Sequence, residues 1–478
     1  MNDNNHENGA TATDSVHGAL NEEFGLPFQF GEKGGVYPNQ TRLAKGFAVD
    51  RDIKFDPKRQ FLEYRGPSSG LWQAVAEHTV TIKIAAYLRE YARRSEFENV
   101  QRIIKYDLVS DVLEFVKGFA HADFKANCKP GVIHFKNCMV DTRAEPFEPL
   151  RFDPEFYSTR QVPYDFDPAA KCPRYQAWLD ETMNADDQTL WLHWCGMVLS
   201  GLNTAQKILI LSGIGGSSKG QHVRTVCDLI GGDNCLEFRT RNLSQRFEMA
   251  KLIDKSLLVG SDVSPNFLSE AAAHYLKSLT GEDLISAELK NVNGSVLLSG
   301  EYNVVMTSNT KLRVRLEGDV EAWRRRLMVI NFTKQVKNQV PNFARSILEE
   351  EASGIVNVML GGLRDLREHG FDLTRDQKGR VDDLLGESDS VRRFIEEMVD
   401  YRPDEDLTTE ELVSGHERYC VRRGWLPASR AIVEKNIHDV MHDMFNVTAR
   451  HDLIRGRNVR RGFSGFVLRP ESYQVDKL

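Results

Sequence analysis

The chain has no C-x-x-C pair and no cysteine–histidine group at zinc spacing; its seven cysteines are scattered. That excludes a zinc ribbon and a disulfide scaffold, and the cysteines read as reduced thiols of a cytoplasmic protein. No run approaches the roughly 20 apolar residues of a membrane span, so no membrane partner is expected. The first residues lack the charged-then-apolar order of a signal peptide. There is no internal repeat, and no excess of positive charge: the net charge is −7 over 478 residues. A uniformly basic surface is thereby excluded, but a local basic channel is not. What is present, 41% hydrophobic and 27% charged residues, is the composition of a globular protein long enough for several domains.

The organising stretch is KILILSGIGGSSKGQHV, residues 207–223. An apolar strand ends in a glycine-rich turn that carries Lys219 and leads into a helix. Backbone N–H groups of such a turn can close around phosphates, and a lysine can meet their outer oxygens. The helix start adds its positive end. The expected nucleotide-binding residues are Gly213, Gly215, Gly216, Ser217, Ser218, Lys219, Gly220 and Gln221. Against G-x-x-x-x-G-K-[ST], Ser218 replaces the second glycine, and Gly220 replaces the hydroxyl residue that binds magnesium. A glycine-rich turn with a surface lysine is the competing reading.

Residues 1–45 are polar and read as a disordered tail. Residues 46–200 read as an α/β domain with helices over 71–91, 100–119, 175–183 and 188–199 and a strand over 132–140. Residues 201–370 alternate apolar strands with helical segments, which predicts a mainly parallel sheet covered by helices. A second strand, 256–260, ends at Asp262, a carboxylate suited to magnesium. A helix over 266–279 is followed by a hairpin: two strand-like runs flank Asn291-Val292-Asn293-Gly294, with Lys290 near the tip. A further strand ends at Asn309. Arg324, Arg325 and Arg326 precede the strand 327–332; three arginines in a row are a solvated face or, in a ring ATPase, a finger offered to a neighbour's γ-phosphate. Residues 371–390 read as a linker. In 391–478, a helix over 390–399 precedes helices starting at Thr408 and Ser429. Strand-like runs then flank a basic stretch with Arg455, Arg457, Arg460 and Arg461. That is the order of a winged helix–turn–helix; a helical domain for protein contacts is the alternative.

The order of these motifs resembles the superfamily 3 helicases, and most closely the phage and plasmid primase–helicases related to those of poxviruses. The more specific marks are LKSLTGED at 276–283 and WRRRLMVINF at 323–332, with FKNCMVD at 135–141 ahead of the core. The resemblance covers roughly residues 46–470 and leaves no room for an N-terminal primase domain. It implies an α/β fold with an AAA+-like P-loop core, helices on both sheet faces, an N-terminal α/β domain and a C-terminal winged helix. It also implies an ATP- and magnesium-dependent helicase, commonly a hexameric ring, that moves 3′-to-5′ on single-stranded DNA, unwinds duplex and works with a separate primase or other replication proteins in the host cytoplasm. Carried over by position, Lys219 binds the β/γ-phosphates, Asp262 holds magnesium, Asn309 is the sensor and Arg325 or Arg326 is the finger. Lys290, with Asn291 and Asn293, contacts DNA. Because Gly220 supplies no hydroxyl, a DNA-bound initiator or scaffold ring with little or no ATPase activity stands as the alternative. A P-loop remodeller of proteins fits the basic hairpin and arginine stretch less well.

Overall fold

The computed structural model describes residues 11–32, 35–56, 60–94, 98–121, 131–239, 242–243, 245–264, 270–289, 295–310, 312, 320–336, 340–386, 389–425, 427, 429–455 and 458–470. Among them no helix is long and apolar enough to cross a membrane.

The tail expected over residues 1–45 is, from Thr11 on, part of the fold. Helix α1 (Thr11–Phe24), strands β1 (Phe28–Phe30) and β2 (Val36–Pro38) and helix α2 (Gln40–Asp50) pack together. The segment is polar, and a polar network orders it. Arg42 is buried; its Nε donates to Asn21 Oδ1 at 2.8 Å and its Nη2 to the His17 carbonyl at 3.2 Å, while His17 meets Asp50 at 2.9 Å. Strands β3 (Ile53–Asp56), β4 (Gln60–Tyr64) and β5 (Trp72–Val75) form an antiparallel sheet. Helices α3 (Glu77–Arg94), α4 (Glu98–Ile103) and α5 (Tyr106–Ala120) follow. The helix expected over 71–91 is therefore a strand followed by a helix, and that over 100–119 is broken near 104–105. Strands β6 (Val132–His134), β7 (Met139–Asp141) and β8 (Pro149–Leu150) make a second sheet. The single strand expected over 132–140 splits because Asn137 turns the chain. Its side-chain amide donates to the Phe166 carbonyl at 3.0 Å and accepts from the Phe166 N–H at 2.9 Å.

Helices α6 (Pro173–Thr182) and α7 (Ala185–Ser200) lead into the core, made of β9 (Ile208–Gly213), α8 (Lys219–Ile230), β10 (Cys235–Glu237), β11 (Leu257–Gly260), α9 (Glu270–Leu279), the hairpin β12 (Leu284–Glu288) and β13 (Ser295–Ser299), β14 (Asn303–Ser308), α10 (Val320–Arg324), β15 (Leu327–Phe332), α11 (Phe343–His369) and α12 (Arg375–Leu385). Five strands form a wholly parallel sheet in the order β10-β11-β14-β9-β15. Parallel strands must be covered on both faces. In β9, Leu209 and Leu211 pack with α7, α8 and α11, while Ile208 and Ile210 pack with α9, α10 and α12. Each such side chain, once buried, contributes about 2 kcal/mol. The linker expected over 371–390 contains α12. Thr374 and Gln377 form a capping box at its start, and Val381 and Leu385 complete the second face of the sheet.

Last come α13 (Ser390–Met398), β16 (Val399–Thr408), α14 (Thr409–Arg422), α15 (Arg430–Phe445), β17 (Arg450–Arg455) and β18 (Asn458–Leu468), with sheet order β16-β18-β17. Phe394, Leu412, Ile437, Phe463 and Phe466 fill this unit's own core. Strand β16 was not expected: its charged residues, Asp404 to Asp406 among them, hide the alternation. Thr408 and Glu411 form the expected capping box, whereas Ser429 makes no side-chain cap bond.

Helices α7 and α11 touch backbone to backbone. A Cβ on Gly196 would sit 2.5 Å from the Leu363 nitrogen, and one on Gly362 2.3 Å from the Leu192 carbonyl oxygen. Gly196→Ala gains about 1 kcal/mol of helix propensity but overpacks the contact by about 1–3 kcal/mol, so a net loss is expected. Neighbouring Gly361 has nothing within 4 Å of its would-be Cβ, so Gly361→Ala should keep the propensity gain. Thermal unfolding is expected to show a lower Tm for the first variant and a higher Tm for the second.

Candidate functional site

The turn after β9 is shaped by backbone crowding. Gly213 has φ +144°, and a Cβ there would lie 2.0 Å from the Phe332 carbonyl oxygen, so β15 presses directly on the loop. Ser218 takes the left-handed conformation at φ +70°. Ser217 Oγ donates to the Ile214 carbonyl at 2.7 Å. Lys219 is only 5% exposed and donates to the Gly213 carbonyl (2.9 Å), the Ile214 carbonyl (2.7 Å) and Ser217 Oγ (3.1 Å). Burial lowers its ammonium pKa, and the Asp262 carboxylate opposes that shift. The loop is braced by the chain after β15: Val336 N–H donates to the Gly216 carbonyl and Gln335 Nε2 to that of Gly215, both at 3.1 Å. Gln221 Oε1 accepts from the Ala344 N–H at 3.3 Å, tying α8 to the start of α11.

At the tips of the adjacent strands, Asp262 is held in a left-handed conformation (φ +45°). Its N–H donates to Thr307 Oγ1 at 2.9 Å, and its Oδ1 accepts from Asn309 Nδ2 at 3.0 Å. Residues 215–221, Asp262 and Asn309 line one cleft of about 1170 Å³, with Thr307 and Ser261 beside them. The far wall comes from α6 and the start of α11: Arg174, Trp178, Glu181, Asn342 and Phe343. Trp178 stacks on His222 with ring centres 3.7 Å apart, and Thr182 Oγ1 lies 3.0 Å from His222 Nε2. This α6–α11 wall was not anticipated, since no local spacing marks it.

An anion fits this arrangement. The first N–H groups of α8 have no intrahelical partners and face the cleft with the loop, and Lys219 stands behind them. The metal side is thinner. Gly220 has open space around it, and among the described residues no group of three His, Cys, Asp or Glu could hold a metal unaided.

The other expected residues lie elsewhere. The Ile208 N–H donates to the Arg326 carbonyl, so the arginine turn sits at the opposite end of β9 from Gly213. Arg326 is buried, with Nη1 on the Ala322 carbonyl at 2.9 Å and Nη2 on Gln206 Oε1 at 3.4 Å. That corrects its expected role: a guanidinium packed inside its own chain is not offered to another. Arg325 is exposed. The hairpin β12–β13 pairs as expected from Leu284↔Ser299 to Glu288↔Ser295; Lys290, Asn291 and Asn293 lie outside the described residues. Arg455 ends β17, Arg457 lies outside the described residues, and Arg460 and Arg461 are exposed on β18.

Residues 40–184 match the family model described as D5 N terminal like, and residues 211–326 match a family of unknown function, DUF5906. This supports the likeness to phage and viral primase–helicases. The D5 N-terminal-like match runs to residue 184 and so includes Arg174, Trp178 and Glu181, while the second matched segment includes Lys219, Asp262 and Asn309. No curated protein matches the chain. The fold is similar to the apo C-terminal region of NrS-1 (residues 305–718), at TM-score 0.54 and 13% identity over 89% of this chain and 99% of that one. Two A-form structures of that region match at TM-scores of 0.50 and 0.51, each at 13% identity, covering 89% and 88% of this chain and 100% and 99% of theirs. At this identity the likeness is one of fold.

His222 joins α8 to α6 through Trp178 and Thr182, and burial lowers its pKa to about 3. Between that value and about 6.5 the unfolded chain binds a proton that the folded chain does not, so stability falls as pH falls below about 6.5. One such group gives a slope of up to about 1.4 kcal/mol per pH unit. Buried His416, lowered to about 4, acts in the same direction. Denaturant titrations from pH 7 to pH 5 should show the loss, with a shallower slope in His222→Phe, which keeps an aromatic ring on Trp178.

Proposed function

We propose that the chain is an ATP-dependent DNA helicase of superfamily 3 type, a ring of identical subunits, and one observation carries this reading: Lys219, Asp262 and Asn309 line a single cleft at the carboxyl ends of the central parallel strands. Ligands of open parallel sheets bind at that edge. ATP supplies the phosphoanhydride whose hydrolysis drives movement. Lys219 exchanges the loop carbonyls for phosphate oxygens, and the loop N–H groups orient the phosphates. Asp262, steadied by Asn309 and Thr307, would hold magnesium and orient water, and Gly220 would contribute no ligand. Arg325, exposed at the turn before β15, is the group offered to a neighbour's site; a hexamer is the expected ring.

The C-terminal unit reads as a winged helix. Its order helix, strand, helix, helix, strand, strand, with β18 between β16 and β17, suits duplex DNA, with α15 as recognition helix and β17–β18 as wing. The β12–β13 hairpin with Lys290, Asn291 and Asn293 is the contact to single-stranded DNA. Travel 3′-to-5′, a partner primase and work in the host cytoplasm belong to the same reading. Gly220 favours a second reading, a DNA-bound scaffold ring that turns over no ATP.

Turnover by the wild type, with and without single-stranded DNA, decides between the two. DNA-stimulated hydrolysis that drops at least about a hundredfold in Lys219→Ala supports the motor; salt-sensitive DNA binding without hydrolysis leaves the scaffold. Arg325→Ala is expected to cut turnover by about 10³-fold while nucleotide affinity stays within about twofold, because the arginine serves the adjacent subunit. Gly220→Ser should fold normally and lower the magnesium concentration for half-maximal turnover by about tenfold, the effect of about 1.4 kcal/mol from one added ligand. An unchanged magnesium requirement would show that the open place is not used by the metal.

A further inference from the structure

Strand β16 pairs with β18 only as far as Thr408↔Gly462, whereas β17 pairs on from Leu453↔Arg460 through Ile454↔Val459 to Arg455↔Asn458. Residues 458–461 of β18 therefore have β17 as their sheet neighbour, and the hairpin continues past the three-stranded sheet as a two-stranded ribbon. Directly opposed residues share a face. Ile454 and Val459 are opposed near the ribbon's end, 69% and 65% exposed. A β-branched apolar pair left in water on a free two-stranded ribbon is a liability that folds ordinarily cover or charge.

The charge on the ribbon is mostly positive. Arg450, His451, Arg455, Arg460 and Arg461 lie on the same two strands, against Asp452 on the ribbon and Asp406 of β16 near Arg450. Asp452 is taken by Arg450 at 2.6 Å, and Glu410 of α14 reaches Arg460 only at 3.9 Å. Arg461 lies near His438 of α15, where Asp439 and Glu434 also stand, so the positive charge belongs to the ribbon and ends at the helix. A partner must offer dense negative charge with a narrow apolar slot between. Duplex DNA does: its minor groove is walled by phosphates, and its base steps accept small apolar wedges that unstack and bend the duplex.

We propose that the β17–β18 ribbon is a minor-groove wedge, with Ile454 and Val459 entering a base step and Arg460 and Arg461 holding the flanking phosphates. This rests on the reading that the C-terminal unit binds duplex DNA, and adds that it deforms what it binds.

The full chain would be titrated onto a short A·T-rich duplex carrying 2-aminopurine, with donor and acceptor dyes at the ends. Wild type should raise 2-aminopurine fluorescence and end-to-end energy transfer at saturation. Ile454→Ser/Val459→Ser, both exposed and so without cost to the fold, should bind with an unchanged salt slope yet lose both signals; Ile454→Phe should retain them. Arg460→Ala/Arg461→Ala should keep the saturating signals but lower the salt slope by about 2, one per arginine. Saturation by wild type without either signal, or signals undiminished in the serine pair, overturns the wedge alone. So does a serine pair that changes only the chain's self-association, since the pair would then join copies. A chain with no salt-sensitive duplex binding removes both the wedge and the DNA-binding reading beneath it.

Discussion

Burial of β9 on both faces is the constraint on which the rest depends. A central parallel strand cannot face water, so two layers of helices must flank it. The layer of α7, α8 and α11 closes by backbone contact at Gly196 and Gly362, which leaves no slack between α7 and α11. The layer of α9, α10 and α12 closes around Trp323, Val381 and Leu385. With both faces filled, the free surface left to the strands is at their ends, and the carboxyl end carries the glycine turn.

The same packing sets the shape of that turn. Phe332 of β15 touches Gly213 so closely that no side chain fits, and Gln335 and Val336 hold the carbonyls of Gly215 and Gly216. Lys219 is stored against the loop's own carbonyls, partly desolvated, with Asp262 as its counter-charge. A buried ammonium satisfied by carbonyls is ready to move to stronger acceptors, since charge-assisted bonds to anions are roughly twice as strong as neutral ones. The cleft is also shared between regions distant in sequence. Its far wall comes from α6 and the start of α11, with α6 fixed to α8 by the His222–Trp178 stack.

Away from the cleft, charged side chains do structural work. Arg324, partly exposed, bonds Asp382 of α12 at 2.7 Å, and buried Arg326 bonds the Ala322 carbonyl, so two of three consecutive arginines are tied to their own chain and one faces out. The C-terminal unit has a core of its own, and its basic ribbon stands clear of it.

The parallel core, the glycine turn, the hairpin ladder and the strand-tip residues Asp262 and Asn309 were legible in the sequence, because each rests on short-range pattern: apolar runs, Asn-Gly, a carboxylate ending a strand. The order built from residues 11–45 was not legible, since a buried arginine network leaves no periodicity. Nor was α12, whose few apolar residues all point one way among charges, or β16, whose alternation is masked by aspartates. Which arginine faces outward could not be read from three identical neighbours; it depends on what packs beneath them. The sequence by itself determined the strand order of chemistry along the chain. Only the tertiary structure decided that Trp178 and Lys219 face one cleft, that Arg326 is enclosed and that Ile454 meets Val459 in water, because each depends on contacts between segments that no local spacing encodes.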